Sequence, residues 1–172
     1  MLKNGVIEES SSPYAFNVVV VEKKDRAGEG MDRLCINYAS LNKVTISDRY
    51  PLPNINETCS RFWRSKWFTS LDLASAYWQV LVRKRDREKI AFKIRNGQYQ
   101  FRVMPFGLCN APATFQRLMN KILKPYIGKF VEVYLDDVII HSRSKEEHIK
   151  HVQTILQKIR EANLKLKPSK CK

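Results

Sequence analysis

Hydrophobic and polar positions along the chain mark out short strands, three helices and the turns between them. Phe16–Lys24 and residues 33–38 are rich in β-branched and aromatic side chains, and the polar, glycine-containing residues 25–32 between them read as a long hairpin loop. Pro53 suits the first turn of a short helix that carries Ile55, Cys59 and Phe62 on one side. Residues 66–72 form a strand ending in a carboxylate. Residues 90–94 and 99–103 flank Asn96-Gly97, which predicts a hairpin with a type I′ turn.

Further on, Asn110 caps a predicted helix with Pro112 in its first turn. Phe115, Leu118, Met119, Ile122 and Leu123 follow the i, i+3, i+4, i+7, i+8 pattern of a buried stripe. Pro125 and Gly128 end it. Residues 130–135 and 138–141 are apolar strands meeting at Asp136-Asp137. A last helix opens at Ser144, with Glu147 three residues on as a capping box, and is predicted to bury Ile149, Val152, Leu156 and Ile159. Asn163 closes it. The sum is an α+β fold with hairpins and helices packed on an antiparallel sheet.

Composition narrows the function classes. A chain of 172 residues with 44% hydrophobic residues can bury a sizeable core, which excludes disorder as the main description. No apolar run approaches the roughly 20 residues that span a bilayer, and no secretory h-region follows Met1, so no membrane role is expected. Thirty-one Lys and Arg against 17 Asp and Glu give a net charge of +14, which points to a polyanionic partner, nucleic acid first. Cys35, Cys59, Cys109 and Cys171 form no C-x-x-C pair, so neither a zinc site nor a disulfide framework is supported. Cys35 and Cys59 read as buried thiols of a reducing compartment. His148 and His151 share a helical face among Lys and Glu neighbours and read as solvated.

Two adjacent aspartates between hydrophobic strands have two readings. One is a plain hairpin turn. The other is a cation site, because a tight turn gathers two carboxylates that repel unless a cation sits between them, and Mg²⁺ accepts such ligands. Asp72 at the end of another strand is a helix cap on its own. Together, three carboxylates on neighbouring strands suit the two-metal arrangement of polymerases and nucleases.

The motifs then resemble a known family. Tyr134-Leu135-Asp136-Asp137 matches the Y-x-D-D box of reverse transcriptases. Leu71-Asp72-Leu73-Ala74-Ser75-Ala76-Tyr77-Trp78-Gln79-Val80 resembles their first catalytic-aspartate motif. Met104-Pro105-Phe106-Gly107-Leu108-Cys109-Asn110-Ala111-Pro112-Ala113-Thr114-Phe115-Gln116-Arg117 looks like a block typical of the Gypsy/Ty3 class of long-terminal-repeat retrotransposons. Ser12-Pro13-Tyr14-Ala15, Tyr50-Pro51-Leu52-Pro53 and the closing Leu164-Lys165-Leu166 with Lys170-Cys171 fit in the same order.

The resemblance implies right-hand polymerase fingers and palm subdomains, with an antiparallel palm sheet and the thumb absent. Residues 1–49 and 79–105 would be fingers-like, and 50–78 and 106–172 palm-like. It implies RNA-directed DNA polymerase activity, with Asp72, Asp136 and Asp137 as catalytic and metal-binding residues for two Mg²⁺, Mn²⁺ being a substitute. Tyr77 matches the aromatic gate against a ribose 2′-OH. Lys23 and Arg33 match the grip on the incoming triphosphate, Ala76 and Phe106 lie beside the dNTP, and Gly107 and Tyr134 face template and primer. The implied partners are an RNA template, a DNA primer or duplex, dNTPs, and the thumb, connection and ribonuclease H regions of a parent polyprotein. The implied setting is intracellular, in a cytoplasmic virus-like particle or the nucleus.

One segment departs from the family pattern. Where the family reads C-[VI]-D-Y-R-x-L-N, this chain has Cys35-Ile36-Asn37-Tyr38-Ala39-Ser40-Leu41-Asn42, lacking both the Asp and the Arg. A non-catalytic nucleic-acid-binding remnant is therefore the alternative function. A Mg²⁺-dependent nuclease would use the same carboxylates, but Lys23 and Arg33 argue against it.

Overall fold

A computed structural model describes residues 1–24, 30–51 and 53–172, with the side chains of residues 21–24 and 30–34 outside the description. In chain order the strands are β1 (Ile7–Glu9), β2 (Phe16–Lys24), β3 (Gly30–Ile36), β4 (Trp67–Asp72), β5 (Phe92–Ile94), β6 (Gly97–Phe101), β7 (Val131–Tyr134) and β8 (Asp137–Ser142). The α-helices are α1 (Ala39–Val44), α2 (Ile55–Arg61), α3 (Ala111–Leu123) and α4 (Lys145–Glu161). The chain divides into two compact units, Met1–Ser47 with Tyr77–Ala111, and Asp48–Ala76 with Pro112–Lys172.

The first unit is built on a five-stranded sheet of order β1-β6-β5-β2-β3. β2 and β3 pair antiparallel from Val18↔Ile36 to Lys24↔Gly30, as their β-branched content predicts, while β2 meets β5 in parallel. Ile36, Tyr38, Ile90, Phe92, Phe101 and Val103 form its core. Tyr38 is 1% exposed and donates its hydroxyl to the Ile90 carbonyl at 2.9 Å, which satisfies the one polar atom the ring carries inward. Burial pushes its phenol above the ordinary range.

The β5–β6 hairpin differs from the expected turn. Ile94 pairs with Gly97, so Arg95 and Asn96 make the loop. Neither has positive φ, so a type I′ turn is not formed. Residues 25–29 of the expected loop between β2 and β3 lie outside the described residues.

The second unit holds a three-stranded antiparallel sheet, β4-β8-β7, with α4 packed on β8 and β4. Phe115, Met119 and Leu123, four residues apart on α3, are fully buried, each removal from water being worth about 1.5–3 kcal/mol. Asn54, not Pro53, starts α2: its side chain accepts from the Asn56 N–H. One half of the expected capping box of α4 forms, Ser144 Oγ accepting from the Glu147 N–H at 3.3 Å, and Asn163 closes the helix at φ 55°.

Three expectations need correction. Cys59 is exposed and Cys35 only half-buried. Ile149 and Leu156 on α4 are exposed, and the stripe that enters the core is His148, Ile155 and Ile159. His148 is not solvated: its Nε2 meets Thr69 Oγ1 at 2.8 Å and its Nδ1 meets Ser142 Oγ at 2.9 Å. Ser142 Oγ also meets His151 Nδ1, and His151 stacks flat on Phe130 with ring centres 3.7 Å apart. Hydroxyls from two strands thus turn polar helix positions into core.

Candidate active site

The hairpin between β7 and β8 puts two of the three carboxylates in place. Tyr134 and Asp137 are paired, leaving Leu135 and Asp136 as a two-residue turn. Leu135 has φ 55°, the left-handed backbone that a type II′ turn needs at its first central position and that usually falls to glycine. A side chain from α3 holds this strained turn. Gln116, fully buried, accepts the Leu135 N–H on Oε1 at 2.8 Å and donates Nε2 to the Val133 carbonyl at 3.2 Å and to Asn120 Oδ1 at 2.9 Å. The third carboxylate arrives by strand register, since Asp72 at the end of β4 lies directly opposite Asp137 at the start of β8.

The cluster is electrostatically unsettled. Partial burial first, then the Asp136 and Asp72 carboxylates, push the Asp137 carboxyl above its ordinary value, and Lys170 pulls the other way. Lys170 Nζ stands 3.0 Å from Asp72 Oδ2. Backbone pairing brings it there: Lys167 N–H donates to the Asp72 carbonyl at 2.9 Å, Leu73 bridges Leu166, and Ser70 and Lys172 exchange bonds of 2.8 and 3.0 Å. Among the described residues, no three His, Cys, Asp or Glu side chains converge closely enough to hold a metal ion as they stand. The donor set nevertheless fits a hard divalent cation, because it is all carboxylate oxygen, carries mutual repulsion and already attracts an ammonium ion.

The remaining expected residues fall as follows. Tyr134 is 40% exposed beside the carboxylate turn. Ala76, 3% exposed, opens a 3-10 turn, Ala76–Gln79. In the first unit, the Tyr77 ring lies 5.0 Å from that of Phe106. Gly107 has φ 95°, and a Cβ there would meet the Ile36 carbonyl oxygen at 3.2 Å, so the loop needs glycine twice over. Asn42 ties the same loop down, donating Nδ2 to the Gly107 carbonyl at 2.8 Å and accepting the Cys109 N–H at 2.9 Å. The β2–β3 register places the backbones of Lys23 and Arg33 opposite Met31 and Val21, while both side chains lie outside the described residues. Asn37 Oδ1 accepts from the Ala39 N–H at 3.0 Å, a local turn bond.

A family profile described as "Reverse transcriptase (RNA-dependent DNA polymerase)" matches residues 21–172. The chain belongs to the reverse transcriptase family. It is 46% identical over 172 residues to the Retrovirus-related Pol polyprotein from transposon 297 of Drosophila melanogaster, covering 99% of the chain and 16% of that polyprotein. To the Pol polyprotein from transposon gypsy of the same organism it is 42% identical over 172 residues, covering 99% of the chain and 17% of the relative. To the Transposon Tf2-3 polyprotein of Schizosaccharomyces pombe it is 43% identical over 170 residues, covering 99% of the chain and 12% of the relative. The chain therefore spans about a sixth or less of the length of these relatives.

Among solved structures, the native prototype foamy virus protease-reverse transcriptase superposes with a TM-score of 0.84 at 26% identity, over 99% of this chain and 22% of that one. The foamy viral enzyme in complex with an RNA/DNA hybrid gives 0.85 at 22% identity, with the same coverage. These likenesses establish a fingers–palm fold of mixed α/β type with antiparallel sheets.

Three side chains of this reverse transcriptase chain escaped the sequence reading as site residues. Gln116 carried a signal, an amide beside Phe115 and Met119 on α3 with a second amide, Asn120, one turn on. Asn42 and Lys170 appeared only as members of quoted motifs, and local spacing gave no sign of their contacts, because their partners are 65 and 98 residues away in sequence. No helix among the described residues is long and apolar enough to cross a membrane.

Proposed function

We propose that the chain performs RNA-directed DNA synthesis as the fingers–palm part of a Gypsy/Ty3-class retrotransposon Pol polyprotein. The observation that carries this is the register that sets Asp72 against Asp137 beside a clamped Asp136, leaving like charges that want a cation. Asp72, Asp136 and Asp137 would hold two Mg²⁺, or Mn²⁺ in their place. When bound, such ions activate a primer 3′-OH and stabilise the charge that develops on a leaving pyrophosphate.

The residues of the chain do the positioning. The second unit serves as palm and the first as fingers. Tyr77, packed on Phe106, presents its ring where a ribose 2′-OH would intrude and so favours dNTPs over rNTPs. Lys23 and Arg33 neutralise the triphosphate, the Arg by a bidentate grip and the Lys as a point charge. Ala76 offers backbone to the nucleotide, and Gly107 and Tyr134 approach template and primer. Intracellular RNA template, primer and dNTPs are the partners, with the remainder of the polyprotein holding the duplex.

Primer extension on an RNA template with Mg²⁺ and dNTPs tests the reading, comparing the chain with Asp136→Asn. Short, distributive extension by the parent chain and none by the variant supports it. Equal extension by both overturns the carboxylate assignment. Duplex binding by both without extension by either favours the nucleic-acid-binding remnant that Asn37 and Ala39 suggest.

A further inference from the structure

The end of the palm sheet remote from the carboxylates carries an unexplained surface. β4 runs from Trp67 to Asp72, five steps of about 3.3 Å, so Trp67 stands roughly 17 Å from the carboxylate end. Two loops meet there, since the Lys66 N–H donates to the Ser142 carbonyl at 2.9 Å and Trp67 pairs with Ser142. One segment reads Phe62-Trp63-Arg64-Ser65-Lys66-Trp67-Phe68, with no acid, and the other reads Ser142-Arg143-Ser144-Lys145, after which Glu146 and Glu147 follow in the first turn of α4. Trp63 is 77% exposed and Trp67 43%, both unusual for indoles. Arg64 takes the left-handed backbone at φ 71°, a conformation that costs a non-glycine residue about 1–2 kcal/mol. Lys145 Nζ lies 6.0 Å from the centre of the Trp67 ring. Arg64, Lys66, Arg143 and Lys145 are all exposed, and none is in an ion pair among the described residues.

We infer that this rim is a second nucleic-acid contact, specific for single strands, in which bases stack on Trp63 and Trp67 while the four cations track the phosphates. Only a single strand matches both halves of the surface. A duplex offers phosphates but hides its base faces, and an acidic peptide would satisfy the cations yet leave the indoles in water. Stacking platforms flanked by unpaired cations are how sequence-tolerant single-strand binders work. The rim shares no residue with the carboxylate site, so it stands whether or not the chain polymerises.

Indole fluorescence tests it on the 172-residue chain. With Trp78→Phe as background, only Trp63 and Trp67 report, and a 12-nucleotide oligouridylate should quench them saturably where a 12-base-pair duplex does not. In anisotropy titrations of the same labelled oligonucleotide on the unaltered background, Trp67→Ala should weaken binding about 5- to 150-fold, and Trp63→Ala at least about fivefold. Arg143→Ser with Lys145→Ser should flatten the slope of log K against log salt by about 1.4, which is roughly 0.7 for each phosphate no longer neutralised. Folded variants that bind the oligonucleotide as the parent does would overturn the inference, as would absence of quenching. Quenching by anionic vesicles or by self-association at higher concentration, and not by the oligonucleotide, would overturn it too.

Discussion

Replacing Gln116 by Leu should loosen the carboxylate turn without leaving a cavity, since the two side chains are close in volume. What disappears is the hydrogen bonding: the Leu135 N–H loses its 2.8 Å acceptor and the Val133 carbonyl its 3.2 Å donor. An orphaned buried backbone group costs about 1–3 kcal/mol, so two give roughly 2–6 kcal/mol, with the lower half favoured because Leu135 is only partly buried. The penalty falls on a residue already held at φ 55°, so the turn should relax and the Asp136 carboxylate should lose its fixed position. Urea denaturation reads the first effect, and amide hydrogen exchange at Leu135 reads the second, changing from protected to fast. Gln116→Glu supplies a sharper control. It puts a buried carboxylate against the Val133 carbonyl, so its deficit should shrink as the pH falls and the neutral acid becomes a donor. A Gln116→Leu chain within about 0.5 kcal/mol of the parent, with Leu135 still protected, would refute the clamp.

Other outcomes follow from the same geometry. Asp137→Asn should stabilise the metal-free chain, because the raised carboxyl is a charge the fold disfavours at neutral pH, and should abolish polymerase activity; thermal melts and primer extension check the two halves. His141 and His148 are pushed below the ordinary imidazole value of 6.5, by burial first and then by neighbouring imidazoles. The folded state therefore resists protons that the unfolded chain accepts, so stability should be full above about pH 6.5 and fall on acidification, and His148→Asn should flatten that fall in melts between pH 5 and 7.5. Arg61 meets both oxygens of Glu132 at 3.0 and 3.3 Å, opposing the burial that pushes this carboxyl up. Arg61→Met should cost about 3–5 kcal/mol in urea denaturation by leaving Glu132 buried and unpaired, and Arg61→Met with Glu132→Leu should recover most of it.

The sequence was most legible where local pattern and tertiary context agree. Phe115, Met119 and Leu123 of the α3 stripe are buried and Ser144 caps α4 where the spacing and the cap residue put them, while Leu118 and Ile122 are only half-buried. Asp72, Asp136 and Asp137 stood out through the motifs that contain them, since local pattern alone also allows a hairpin turn and a helix cap, and it is the β4–β8 pairing that sets Asp72 opposite Asp137. Legibility failed where long-range partners decide. The core stripe of α4 runs through Ile155, not Leu156, because His148 enters the core on hydroxyls from Thr69 and Ser142. The turn at Arg95-Asn96 is one residue earlier than Asn96-Gly97 suggests, since Ile94↔Gly97 pairing fixes the register across the sheet. Lys170 reaches Asp72 only because the closing segment pairs with β4, which no local spacing announces.

The central claim is that Asp72, Asp136 and Asp137 form a divalent-cation site that a nucleoside triphosphate completes. Electron paramagnetic resonance of free Mn²⁺, titrated with the chain at pH 7.5 with and without dATP, tests it most directly. Together, dATP and the chain should remove more Mn²⁺ from the free signal than the two separately, and Asp72→Asn or Asp136→Asn should abolish the excess. The same excess in either variant would contradict it, since the bound cations would then not rest on these carboxylates.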